Sequence, residues 1–168
     1  MSYQQKYIGK FRHRVNVSDE FYHLAEEEEQ AAGALAQAGR YRQACYFLIQ
    51  AMEKFIRAKL FSLVNPNLEY FRDRNRTHSL DDAVNFLVEV VSPDKVVQEQ
   101  VFSQLNNHVL GTTKYRELHN NLRYPTYFRK YDSYSMLDIQ KGDFDVLAHR
   151  LSMLKKFLHD MHKLTNTP

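Results

Sequence analysis

The segment from Tyr41 to Val64 constrains the fold more than any other part of the chain. Drawn as a helix, it places Ala44, Leu48, Ala51 and Phe55 along one edge and Cys45, Met52, Ile56 and Leu60 along the next. Apolar residues at this spacing mark an amphipathic helix, and an arc this wide predicts a central helix packed on more than one side. Gln50, Glu53, Lys54, Arg57 and Lys59 interrupt the arc and are expected to face solvent. Asn65-Pro66-Asn67 then stops the helix.

The flanking segments carry the same period. Ser18, followed by Asp19 and Glu20, is expected to cap a first helix that uses Phe21, Leu24, Ala25, Ala32 and Leu35 and ends at Gly39. After a polar connector, Thr77 or Ser79 is expected to cap a third helix, with Asp82 placed for a capping box with Ser79, and that helix buries Ala83, Phe86, Leu87, Val90 and Val91. Ser92-Pro93 opens a fourth, predicted to run to Leu110 on Val96, Val97, Val101, Phe102 and Leu105 and to end at Gly111. Thr112 or Thr113 is expected to cap a fifth, which Pro125 halts near Tyr124 because proline disfavours helical backbone before it. Residues 127–140 hold four aromatics without a period and are expected to form an ordered loop. A last helix opens at Gly142-Asp143 and carries Phe144, Leu147, Leu151, Leu154, Leu158 and Met161 as a packing seam.

These signals predict an all-α fold, an antiparallel up-and-down bundle of four main helices with one or two additional short helices. With 168 residues the chain can bury one core without staples, and its 5 glycines and 4 prolines argue against a turn-rich β-sandwich. The expected organisation is a basic extension at 1–17, a bundle at 18–164 and a frayed tail at 165–168. No apolar run is long enough for a membrane span, so no membrane role is expected. The first residues lack the apolar stretch of a secretion signal, and the lone Cys45 cannot form an intrachain disulfide. Both favour a cytoplasmic setting, with Cys45 an inert core thiol.

A net charge of +3 is too small to declare a nucleic-acid binder, but its distribution is uneven. Lys6, Lys10, Arg12, His13 and Arg14 make a basic N-terminus, and Glu26 to Glu29 an acidic run. Lys114, Arg116, Arg123, Arg129 and Lys130 make a basic cluster interleaved with Tyr124, Tyr127, Phe128, Tyr131 and Tyr134. Guanidinium groups clasp phosphate in a fork, and aromatic rings offer stacking faces to bases. Arg116, Arg123, Tyr124, Tyr127, Arg129 and Lys130 are therefore the expected ligand-binding residues. His119 lies one helical turn before Arg123, so this pair is the candidate reactive centre, with Tyr115 on the same face. His159-x-x-His162 has a metal-compatible spacing without a second motif to complete a site, so no metal and no cofactor is expected. Neither a phosphate-binding glycine loop nor a nucleophile elbow is present.

The order of Gly39-Arg40-Tyr41, Ala44 to Ala58, Thr77-His78-Ser79-Leu80 and Leu122-Arg123-Tyr124-Pro125 resembles the HEPN domain family, over about 18–163. The resemblance implies a helical bundle, a homodimer, and a nucleotidyltransferase as partner. It also implies either a non-catalytic module that binds nucleotide, RNA or that partner, or a metal-independent ribonuclease toxin of a toxin–antitoxin pair. The family's ribonucleases use an Arg-x4-6-His pattern. Arg123 best matches its arginine, yet Phe128, Arg129 and Lys130 stand where the histidine belongs. Arg72 and His78 have the right separation but lie in the connector. The expectation is therefore a binding module without the family's ribonuclease motif, with a divergent Arg123/His119 ribonuclease as the alternative.

Overall fold

The computed structural model describes residues 8–165, with side chains to Met161. Lys6 of the basic N-terminus and residues 166–168 of the expected tail lie outside the described residues. The fold is the all-α bundle the periodicity predicts. Helices α1 (Val17–Gln37) and α2 (Tyr41–Leu63) form an antiparallel pair, and α2 also packs on α4 (Leu80–Val91) and α7 (Lys141–Thr165). Three shorter helices complete it: α3 (Glu69–Arg74), α5 (Lys95–Gln104) and α6 (Tyr115–Asn121). Among the described residues no helix is long and apolar enough to cross a membrane.

The α1–α2 turn is closed by backbone geometry. Gly39 takes φ +73°, and the amides of Gly39 and Arg40 return to the carbonyls of Ala36 and Leu35. This is the left-handed cap that glycine reaches at least cost. At the other end of α1 the expected cap shifts by two residues. Asn16 accepts the Asp19 amide at 3.1 Å, leaving the Ser18 hydroxyl to donate to the Ala58 carbonyl of α2 at 2.7 Å. On α7, Leu147, Leu151, Leu154, Leu158 and Met161 are all buried, as their seam requires. Cys45 is fully buried, and desolvation pushes its thiol up to about 11. That withholds the thiolate on which reactivity depends.

Three further expectations about the helices and the connecting segments are corrected. Glu53, Arg57 and Lys59 do not face solvent; all three are buried. Arg57 Nε donates to Glu53 at 2.8 Å, Nη1 to Asn75 Oδ1 at 3.2 Å, and Nη2 to the Thr77 carbonyl. A charge can sit in the core only when paired and hydrogen-bonded, and here the polar connector with α3 folds over α2 to supply the partners.

The fourth helix starts later and ends earlier than Ser92-Pro93 and Leu110 suggest. Ser92 Oγ accepts the Asp94 amide, so Asp94 becomes the cap and accepts the Val96 amide. A π-turn at Leu105–Val109 then interrupts the α-helical register. It carries Leu105 and Val109 into the core while Val96 and Phe102, expected inside, are exposed. Gly111 closes the segment at φ +73°.

Residues 127–140 are not simply a loop. Strands β1 (Thr126–Phe128) and β2 (Ser133–Ser135) pair antiparallel around a 3₁₀ turn at Arg129–Tyr131. The register sets Thr126 against Ser135, Tyr127 against Tyr134 and Phe128 against Ser133.

Candidate functional site

Helix α6 is too short to be stable alone, and neighbouring elements hold it at both ends. Neither Thr112 nor Thr113 caps it; Lys114 occupies the cap position without a side-chain bond. Asp81, from the first turn of α4, instead accepts the Arg116 amide at 3.0 Å. At the far end Arg42 of α2 donates to the carbonyls of Leu122 at 3.2 Å and Asn121 at 3.4 Å, and also to that of Leu137. One free amide at the start of the helix and two carbonyls at its end thus find partners in neighbouring elements.

Held this way, α6 forms one side of a cleft of about 800 Å³, with Thr77–Ser79 and Asp82 opposite and Thr126 and Phe128 of β1 at the rim. Arg116, His119 and Arg123 all line it. Arg116 makes an ion pair with Asp82 at 3.1 Å. Arg123 donates to the His119 carbonyl at 3.4 Å, and its guanidinium lies 5.2 Å from the Tyr124 ring centre. Among the described residues it has no carboxylate partner.

His119 is half-buried, stacked on Tyr46 with ring centres 4.8 Å apart, and its Nε2 lies 2.7 Å from Gln50 Nε2. Burial, reinforced by the Arg123 charge, lowers its pKa below the usual histidine value.

The remaining expected site residues separate. Tyr115 is buried, its hydroxyl donating to the Leu110 carbonyl and accepting from Arg150, so it belongs to the core. Tyr124 sits beside Arg123 and is exposed. Side chains alternate along a strand, so Tyr127, between the two cleft-lining residues Thr126 and Phe128, faces away. There it meets Tyr134, its cross-strand partner, at 5.4 Å between centres. Arg129 and Lys130 lie on the 3₁₀ turn and do not line the cleft.

The structure also brings in residues that sequence reasoning left aside. His78 lines the cleft, its Nδ1 3.7 Å from the buried Glu53 carboxylate. Its signal was the Thr77–Leu80 segment at the start of α4. Gln50 and Arg42 were visible only as polar positions on a helix otherwise read as core. Away from the cleft, His159 borders a second cavity of about 490 Å³ between α1, α2 and α7. Among the described residues no three His, Cys, Asp or Glu gather as a metal site requires, and the side chain of His162 lies outside them.

Chemically, the cleft offers an anion the Arg123 guanidinium, the Asp82-paired guanidinium of Arg116 and two imidazoles, with the carboxylates of Asp82 and Glu117 also in its lining and an aromatic ring at the rim. No curated protein and no solved structure matches the chain. The HEPN domain family does match, over residues 18–141. That span is well over half of the 168 residues and contains α1 but for its first residue, α2 to α6, the hairpin and the whole cleft. The chain belongs to the HEPN domain family.

Proposed function

We propose that the α4–α6 cleft binds the phosphate groups of a nucleotide or single-stranded RNA, and that it does so without cleaving them. The observation that carries this reading is Arg123, an exposed guanidinium at the cleft with no carboxylate to neutralise it among the described residues. Arg116 adds a second cation, and Phe128 and Tyr124 supply faces for a base. Tyr127, Arg129 and Lys130 extend the basic aromatic surface outside the cleft and serve a longer strand. Fluorescence titration with a labelled oligoribonucleotide tests this. Saturable, salt-sensitive binding that weakens strongly in Arg123→Ala supports it; binding that this change leaves untouched overturns the site.

One observation favours a second reading, a metal-independent ribonuclease. His78 and His119 line the same cleft, and two imidazoles can share general acid and base roles. It predicts RNA cleavage by metal-free protein. Cleavage that persists in both His78→Ala and His119→Ala would rule the cleft out as its centre. Family membership supports a homodimer and a nucleotidyltransferase partner as part of the proposal, and the exposed Tyr131, Tyr134 and Met136 offer apolar surface for either. Light scattering of the purified protein, alone and with such an enzyme, checks both.

A further inference from the structure

We infer that His119 is a hydrogen-bond donor of fixed tautomer, its proton held on Nδ1 by a relay of Glu28, Lys54 and Gln50 that crosses from α1 through α2 to α6. The inference deepens the phosphate-binding reading, and its donor role rests on that reading.

The relay follows from what each group can and cannot do. Lys54 Nζ is a donor only. It lies 2.5 Å from Glu28 Oε1 and 3.1 Å from Gln50 Oε1. Glu28 is partly buried, and its other oxygen, Oε2, is buried without a hydrogen-bond partner among the described residues. The carboxylate therefore depends on Lys54 and keeps the ammonium in place. That ammonium in turn requires the oxygen of the Gln50 amide, which turns the amide nitrogen toward α6. An amide nitrogen donates and does not accept. At 2.7 Å from Gln50 Nε2, His119 Nε2 must be the acceptor, and so must carry no proton. A neutral imidazole then holds its one proton on Nδ1. The stack on Tyr46 holds the ring plane, and a half-turn flip that keeps that plane would put a carbon where Nε2 stands and lose the Gln50 contact.

Nδ1 has no hydrogen-bond partner among the described residues, and it is not among their sealed buried atoms. It is an open N–H on a residue that lines the cleft beside Arg123. A neutral donor next to a guanidinium suits an acceptor oxygen on a phosphate. The same arrangement withholds Nε2 from acting as a general base, because its lone pair is already engaged.

The test is nitrogen NMR of uniformly labelled full-length protein near neutral pH. Wild type should show His119 Nε2 as the bare, pyridine-type nitrogen and Nδ1 as the protonated one. Lys54→Met, which changes a residue outside the cleft lining, should release the amide and mix the two tautomers. Protonated Nε2 in wild type would overturn the relay. Binding is then measured with labelled oligouridylate. Gln50→Leu should weaken it about tenfold, the loss of one hydrogen bond to a charged group. Unchanged affinity in a Gln50→Leu protein whose tautomer has switched would overturn the donor role. No affinity in wild type, with Nδ1 protonated, would refute the phosphate-binding proposal and leave the relay standing.

Discussion

Arg57 Nε donates to Glu53 Oε1 at 2.8 Å, one helical turn apart on α2, with both side chains buried. The pair is buried within α2 among apolar residues such as Met52 and Ile56. Breaking one partner leaves an uncompensated buried charge, which costs about 3–5 kcal/mol. Arg57→Met and Glu53→Gln should each lower urea stability by about that much. The double replacement Glu53→Gln/Arg57→Met should cost less than the sum of the two, since neither charge is then stranded. Chemical denaturation of the four proteins measures the coupling, and strict additivity would contradict it.

His119 makes stability pH-dependent. Its pKa is lowered in the folded protein, first by burial and then by the Arg123 charge, while Glu53 opposes the shift and Lys54 adds to it. The unfolded chain therefore binds more protons than the folded one between the lowered value and 6.5. Stability from this group is complete above 6.5 and falls as the pH drops toward the folded pKa. Protonation also places a second donor against the Gln50 amide. Melting temperatures from pH 7.5 to 5.5 should fall less in His119→Gln than in wild type; parallel curves would contradict the assignment.

Arg42 is predicted to matter out of proportion to its place on the surface of α2. Arg42→Ala removes the donor from the carbonyls of Asn121, Leu122 and Leu137. A loss of about 1–3 kcal/mol is expected, the usual cost of stranding partly buried acceptors. Hydrogen exchange should accelerate in α6 and in the hairpin before it does in α1 or α7. Uniform acceleration would mean that Arg42 does not clamp this region.

Gly111 should resist replacement for two independent reasons. Its φ of +73° costs any other residue about 1–2 kcal/mol. A Cβ there would also stand 2.8 Å from Arg150 Nη2, and Arg150 is held by Thr113 at 2.7 Å and Tyr115 at 3.1 Å. Gly111→Ala should therefore destabilise more in wild type than in an Arg150→Ala background, as read by thermal melts. Equal losses would leave backbone strain as the whole effect.

The architecture was legible because long helices repeat their signal. The seam on α7 and the wide arc on α2 each carry many apolar residues in register, so a single exception does not obscure them. Short elements have no such redundancy. The three-residue strands of the hairpin span barely one period of alternation, and the π-turn after α5 shifts a pattern that reads in sequence as one continuous helix. The site was legible in part. Arg116, His119 and Arg123 could be grouped by helical spacing, and the cleft keeps them together although α6 ends at Asn121, before Arg123, whereas Tyr127, Arg129 and Lys130 depend on strand direction. The role of Glu53 was hidden because a buried charge looks like a solvent position until its partners, Arg57 and the connector beyond it, are placed.

The alternation of β1 makes the hairpin sensitive to frame. Thr126 and Phe128 serve the cleft while Tyr127 serves the outer surface with Tyr134. Deleting one residue between the end of α6 and β1 would exchange those duties, turning a tyrosine inward and a phenylalanine out. Point changes on the outer face, by contrast, leave the inner one intact. The outer tyrosines can therefore diversify independently of the cleft, provided the spacing from Asn121 to Thr126 is kept.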